Sequence, residues 1–258
     1  MQYSTLFLTE NRCYKSGRTI TARGVVVHST GANNPNLKRY VGPDDGVLGE
    51  NRYDNHWNRS NIGKCVHAFI GYDKNNVVRC YQTLPWDCRP WGCGGGSKGS
   101  YNNSHIQFEI CEDDMGNQSY FEEAFGMAVD LCAYLCRQYD IPVDNIVSHK
   151  EAGRLGYASN HGDPEHWMSN HGWTMNVFRQ NVSQKMGETD GGSSHRVLVV
   201  TYSGSDGLNI RSAPRQGDNI VRVVFEGDEL TVIEKIGRWF KLEDGNYVTA
   251  SSRYVSFR

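Results

Sequence analysis

The chain has 258 residues, 38% of them hydrophobic, with a formal net charge of −2, a pI near 6.5 and a mean hydropathy of −0.60. These values suit a soluble globular protein with one large domain or two unequal ones. The small charge excludes any bulk attraction to nucleic acid or to an anionic membrane surface, so partners have to be read from sites.

The opening stretch, MQYSTLFLTENRCYKSG, contains a short apolar run and no basic leader. It predicts a chain made in the cytoplasm, with neither a signal peptide nor a spanning helix. Eight cysteines lie at positions 13, 65, 80, 88, 93, 111, 132 and 136, and none has the CxxC spacing of a zinc ribbon. They are read as free, largely buried thiols, with Cys132 and Cys136 in the core.

Strand-like runs then alternate with helical pattern: GVVVH (24–28), CVHAFIGY (65–72), VVRCYQTL (77–84) and HIQFEIC (105–111). This predicts an α/β domain. In YFEEAFGMAVDLCAYLCRQYD (120–140), Phe121, Phe125, Ala128, Leu131, Cys132 and Leu135 share one helical face, which should cover the sheet. A closing helix is expected in WTMNVFRQNVSQKM (173–186), through Met175, Val177, Phe178 and Val182. Periodicity is then lost in a Gly/Ser/Thr-rich stretch, which places a flexible linker at 186–195 between a first domain, 1–185, and a second, 196–258. Short alternating strands separated by Gly, Asp, Asn and Pro turns make the second domain a small all-β barrel.

Two histidines end apolar strands: His28 in VVVHST and His149 in NIVSH. Strands delivered to one sheet edge would bring these imidazoles together, a geometry that suits zinc. A catalytic zinc takes three protein ligands and keeps one position open, and Asp163, in ASNHGDPEHW, can supply the third. The same Asp-Pro-Glu also reads as a helix start, with Asp163 as N-cap and Pro164 at the first helical position. Both readings can hold, one carboxylate oxygen taking a backbone N–H while the other binds metal.

VVVHSTGANNP, CVHAFIGYDKNNVVRCYQTLPWDCRPWGCGG, NNSHIQFEICED and IVSHKEAGRLGYASNHGDPEHWM, in that order, resemble the type 2 N-acetylmuramoyl-L-alanine amidases, zinc enzymes related to phage lysins and peptidoglycan recognition proteins. The resemblance spans most of the first domain. It implies an α/β fold with a central mixed sheet flanked by helices, and zinc (Zn2+) held by His28, His149 and Asp163. It also implies cleavage of the amide between N-acetylmuramic acid and L-alanine of the stem peptide, with a zinc-activated water as nucleophile. Glu109 matches the acidic residue that some members place near that water, and is assigned as general base. His161 stands where many members have Lys, and is assigned to steady the oxyanion. Other members carry Tyr just before the position of His67; Val66 stands there, which adds weight to Glu109. His67, Trp91, His105 and the Gly92–Gly96 run are expected to line the substrate groove. His166 and His171 could compete as ligands but are read as lying in or beside the short helix.

GLNIRSAP, FEGDELTVIE and GRWFKLEDGNYVTASSRYV resemble bacterial SH3 (SH3b) domains over nearly all of 196–258, which implies a Gram-positive cell-wall-binding module. Trp239, Tyr247 and Tyr202 are its candidates for stacking on wall ligand. Together the two resemblances imply a phage or prophage endolysin that stays in the cytoplasm until it is released onto peptidoglycan. The alternatives are a non-catalytic peptidoglycan-binding protein or a bacterial autolysin; a wall-binding module argues against a cytosolic recycler of muropeptides.

Overall fold

Strands β1 (Tyr3–Thr5), β2 (Gly24–Ser29), β3 (Ala68–Tyr72), β4 (Val78–Gln82), β5 (His105–Ile110) and β6 (Ile146–Ser148) form one mixed sheet in the order β1-β4-β3-β5-β2-β6. The computed structural model describes residues 3–187, 196–251 and 253–257, which fall into two units, 1–186 and 187–258. In the first unit β3, β5, β2 and β6 run parallel to one another, and β4 is antiparallel to β3. The carboxyl ends of β2, β5 and β6 therefore emerge at one edge, the usual place for a site in a parallel sheet.

Alternation within β5 decides what each sheet face carries. Ile106, Phe108 and Ile110 pack into the main core, whereas Gln107 and Glu109 point the other way, as His28 does on the neighbouring β2. The main core is closed by α2 (Gln118–Tyr139), in which Phe121, Phe125, Ala128, Leu131, Cys132 and Leu135 are all fully buried. Burial of each of these phenylalanines contributes on the order of 1.5–3 kcal/mol. Asn117 caps the helix by accepting from Tyr120 N, and Asp140 ends it in the left-handed region at φ 53°. A second cluster, with Leu8, Leu37, Trp57, Phe69 and Tyr81, fills the opposite face. The closing helix α5 runs over Met175–Gly187, so Met186 and Gly187, expected to begin the linker, are helical; 188–195 lie outside the described residues. All eight cysteines are buried and free. β1 and the four-residue α1 (Arg12–Lys15) were not expected, being too short to show a period.

The second unit contains β7 (Arg196–Val200), β8 (Leu208–Arg211), β9 (Ile220–Val224), β10 (Glu229–Ile236), β11 (Trp239–Leu242), β12 (Tyr247–Thr249) and β13 (Val255–Phe257). These form a seven-stranded antiparallel sheet, ordered β13-β7-β10-β11-β12-β8-β9, around Leu198, Val200, Ile210, Phe240 and Val248. Its all-β character follows the sequence expectation. Only the short β13 went unforeseen.

Candidate metal centre

His28 sits near the carboxyl end of β2, directly opposite Glu109 on β5. β6 stops at Ser148, and His149 is the first residue of α3 (His149–Leu155) rather than the last of the strand, as the sequence had suggested. The capping box decides this: Ser148 Oγ accepts from Glu151 N, and the Glu151 carboxylate accepts from Ser148 N. Arg179 then grips Glu151 with two bonds of 2.9 and 3.0 Å, fixing α3 to α5.

Asp163 is brought in by the start of α4 (Glu165–Asn170). Glu165 accepts from Ser148 Oγ at 2.7 Å and pairs with Lys150 Nζ at 3.1 Å. The expected capping role of Asp163 is not observed. Pro164 takes the N-cap position without a side-chain cap, and both Asp163 oxygens face imidazoles. Oδ2 is 3.2 Å from His28 Nδ1, and Oδ1 is 3.2 Å from His149 Nδ1.

The two Nδ1 atoms are 3.1 Å apart, and the donor atoms of His28, His149 and Asp163 all lie within 4.8 Å of one another. Outer contacts fix the tautomers. His28 Nε2 meets Gln107 Oε1 at 3.2 Å, an acceptor whose orientation is set because Gln107 Nε2 donates to Asn102 Oδ1 at 3.0 Å. His149 Nε2 meets Ser159 Oγ at 3.3 Å, while that hydroxyl donates to the Cys93 carbonyl at 3.2 Å. Both imidazoles therefore hold their proton on Nε2 and turn an Nδ1 lone pair toward the Asp163 carboxylate. Two nitrogen lone pairs and a carboxylate converging at this range have no proton to share and suit a divalent cation of the zinc type. Burial pushes the His28 pKa down, toward the neutral imidazole that offers a lone pair.

Glu109 Oε2 is buried and has no hydrogen-bond partner among the described residues. Burial, followed by the nearby charge of Asp163, pushes the Glu109 carboxyl well above its ordinary pKa, with Lys64 opposing. A cation bound by Asp163 would cancel the second of these causes. Glu109, His28, His149, Asp163, His161 and His166 line one cavity of about 670 Å³, a size suited to a small-molecule or peptide segment. His161 lies with its ring 4.5 Å from that of His149, its Nδ1 3.0 Å from Ser159 Oγ.

Residues 17–166, more than half of the chain, match the family model described as N-acetylmuramoyl-L-alanine amidase. The chain belongs to that family. Residues 206–256 of this amidase-family chain match the bacterial SH3 domain model. N-acetylmuramoyl-L-alanine amidase CwlH of Bacillus subtilis (strain 168) is 38% identical over 71 residues, which is 28% of this chain and 27% of the relative. A variant structure of PlyL shares the fold at a TM-score of 0.52 and 22% identity, covering 71% of this chain and 99% of that one. Staphylococcus aureus hydrolase AmiA, in complex with its ligand, gives 0.51 and 21%, covering 72% and 82%.

Three expected groove residues of the amidase-family unit lie elsewhere. His67 is fully buried: Nε2 donates to the Cys88 carbonyl at 2.9 Å and Nδ1 accepts from Gln107 N at 3.0 Å, so it braces the sheet beneath the centre. His105 begins β5 opposite Gly24, four residues from Glu109 and thus roughly 13 Å away along the strand. Its ring stacks on Tyr101 at 3.7 Å. Trp91 is exposed and carries Arg89 5.1 Å over its ring; its neighbour Gly92, not Trp91, reaches the cavity wall. The glycine run serves close approach. A Cβ on Gly96 would lie 2.5 Å from the Gly156 carbonyl, so the 93–96 loop can press against the segment that presents Ser159 and His161.

Several contributors carried no sequence signal of their own. Gln107, Asn102 and Ser159 matter only through contacts that the fold creates. His166, expected to be structural, lines the cavity with Nε2 3.0 Å from the buried Glu112, which also accepts from Ser29 Oγ. His171 does have a structural place, stacked 4.0 Å from Phe121 with Nδ1 on Gln118. In the second unit, Tyr202 and Trp239 line a cavity of about 900 Å³ with Tyr254, and Tyr247 is not in its lining.

Proposed function

We propose that the first unit, 1–185, is a zinc-dependent N-acetylmuramoyl-L-alanine amidase that hydrolyses the amide between N-acetylmuramic acid and L-alanine of the stem peptide. The observation that carries this reading is the pair of tautomer-fixed imidazoles whose Nδ1 atoms meet the Asp163 carboxylate beside the unpartnered Glu109. Family membership supports the bond cleaved. His28, His149 and Asp163 would hold the metal, which when bound supplies Lewis-acid polarisation of a carbonyl and a more acidic water.

The remaining steps belong to this chain's own side chains. Glu109 takes a proton from the attacking water as its oxygen bonds to the scissile carbonyl carbon, and returns it to the alanine nitrogen as the C–N bond breaks. The products are a muramoyl carboxylate and a free peptide amine. His161, which lines the cavity with its ring beside His149 and Nδ1 on Ser159 Oγ, steadies the developing oxyanion by donating an N–H to it. The protein is read as a lytic enzyme of a Gram-positive host, of endolysin type, with 196–258 as a cell-wall-binding module that raises its local concentration on the polymer. No described helix is long and apolar enough to cross a membrane.

The test is metal content joined to wall lysis. Purified protein is expected to contain about one zinc per chain, and Asp163→Ala or His149→Ala to lose both metal and lysis. Lysis unchanged in either variant contradicts the assignment.

A further inference from the structure

Arg39 and Lys64 line the same cavity as Glu109 and His28, and neither forms an ion pair among the described residues, although the Glu109 carboxyl feels the charge of Lys64. Arg39 ends the short 3-10 turn Leu37–Arg39, donates to the Asn55 carbonyl at 2.7 Å and lies 5.3 Å from the centre of the Tyr40 ring. Lys64, in the loop before β3, holds Nζ 4.7 Å over Trp57. The acids nearby are committed elsewhere. Asp163 serves His28 and His149, Glu112 serves Ser29 and His166, and Glu109 is the proposed base.

The two rings beneath these cations belong to one aromatic shelf. Tyr40 stacks on Phe69 at 5.3 Å, Trp57 meets Phe69 edge-on at 5.1 Å, and Phe69 pairs with Glu109 across β3 and β5. The cations thus stand on the β3 side of Glu109, whereas His149 and Asp163 lie on the β6 side. An apolar shelf removes water from one side of each charge and strengthens its pull on an anion.

This placement divides the substrate of the proposed reaction. The muramoyl part next to the scissile bond offers hydroxyl and acetamido groups, and the peptide part offers carboxylates. The first of these is the α-carboxylate of the second stem residue, roughly 7 Å along an extended peptide. One strand spacing of about 4.8 Å plus one aromatic ring covers a similar span from Glu109 to the cations.

We propose that Arg39 and Lys64 form a carboxylate subsite for the stem peptide, so that the protein prefers stems whose second residue keeps a free α-carboxylate over stems in which that group is amidated. The inference rests on the amidase reading. It is tested with two soluble disaccharide pentapeptides that differ only at that carboxylate, following release of the alanine amine by the full-length, metal-loaded protein. The wild type is expected to favour the free carboxylate by about tenfold in kcat/KM, mainly through KM, as fits loss of a charge-assisted contact. Arg39→Gln combined with Lys64→Gln should bring the ratio near one, and Arg39→Lys should keep most of the preference. Equal wild-type rates on the two substrates, or a preference that survives in the double variant, overturn the subsite alone. Cleavage of neither substrate overturns the amidase reading and the subsite with it.

Discussion

Acid should loosen the first unit through His67, and by a calculable amount. The ring is fully buried, and burial holds its pKa at about 4 against an ordinary 6.5. Nδ1 already accepts the Gln107 N–H, so a second proton has no place in the folded state. The unfolded chain therefore binds the proton and the folded one does not: stability is fully present above pH 6.5 and falls as pH drops toward 4. Linkage over the range from about pH 6.5 to 4.5 removes about 2 kcal/mol for this one group. His105, also near 4 through burial, adds a loss of the same sign, and so does His28. The comparison that isolates His67 is metal-free wild type against His67→Gln, because a glutamine can donate to Cys88 and accept from Gln107 without titrating. Urea unfolding followed by tryptophan fluorescence reports mainly the first unit, since of the six tryptophans only Trp239 lies in the second. The variant is expected to start lower in stability at neutral pH and to lose about 2 kcal/mol less on acidification. Parallel pH profiles for the two proteins would refute the reasoning.

Glu109→Gln should keep about one zinc per chain while turnover falls by roughly 10²–10⁴-fold; turnover retained in that variant removes Glu109 as the base. Gln107→Leu deprives His28 Nε2 of its acceptor and is expected to weaken metal affinity by about 10–100-fold in a chelator competition, with circular dichroism unchanged; unaltered affinity contradicts the tautomer argument. Gly96→Val drives a side chain into the Gly156 carbonyl, which is backbone and cannot swing aside, so Tm should fall by several degrees and lysis with it. A variant with wild-type Tm shows that the 93–96 loop does not need its close approach.

Of the candidate ligand triad, His28 and His149 were legible because one ends and the other follows an apolar strand, whereas Asp163, in a loop between two helices, was marked only by its motif; the period-2 pattern put Glu109 on the face of Gln107, and the structure sets it opposite His28. Even there the local chemistry was misread twice. His149 belongs to a helix because the Ser148–Glu151 capping box outweighs the apolar run before it, and Asp163 leaves the cap to Pro164 because two imidazoles claim its oxygens. His67 and His105 resembled groove residues only by their type and position in the motif. Whether a histidine on a strand meets the cavity or the core depends on the crossing neighbours, Cys88 and Gln107 for one and Tyr101 for the other, which no local period encodes. The same limit hid Ser159, whose partner Cys93 lies 66 residues away in the chain.

Digestion of purified Gram-positive cell walls, with the new chemical ends identified, bears most directly on the proposed reaction. Hydrolysis at the muramoyl amide predicts one new alanine N-terminus for each bond cut and no new reducing sugar. New reducing sugars, or new amino termini other than alanine, would contradict it.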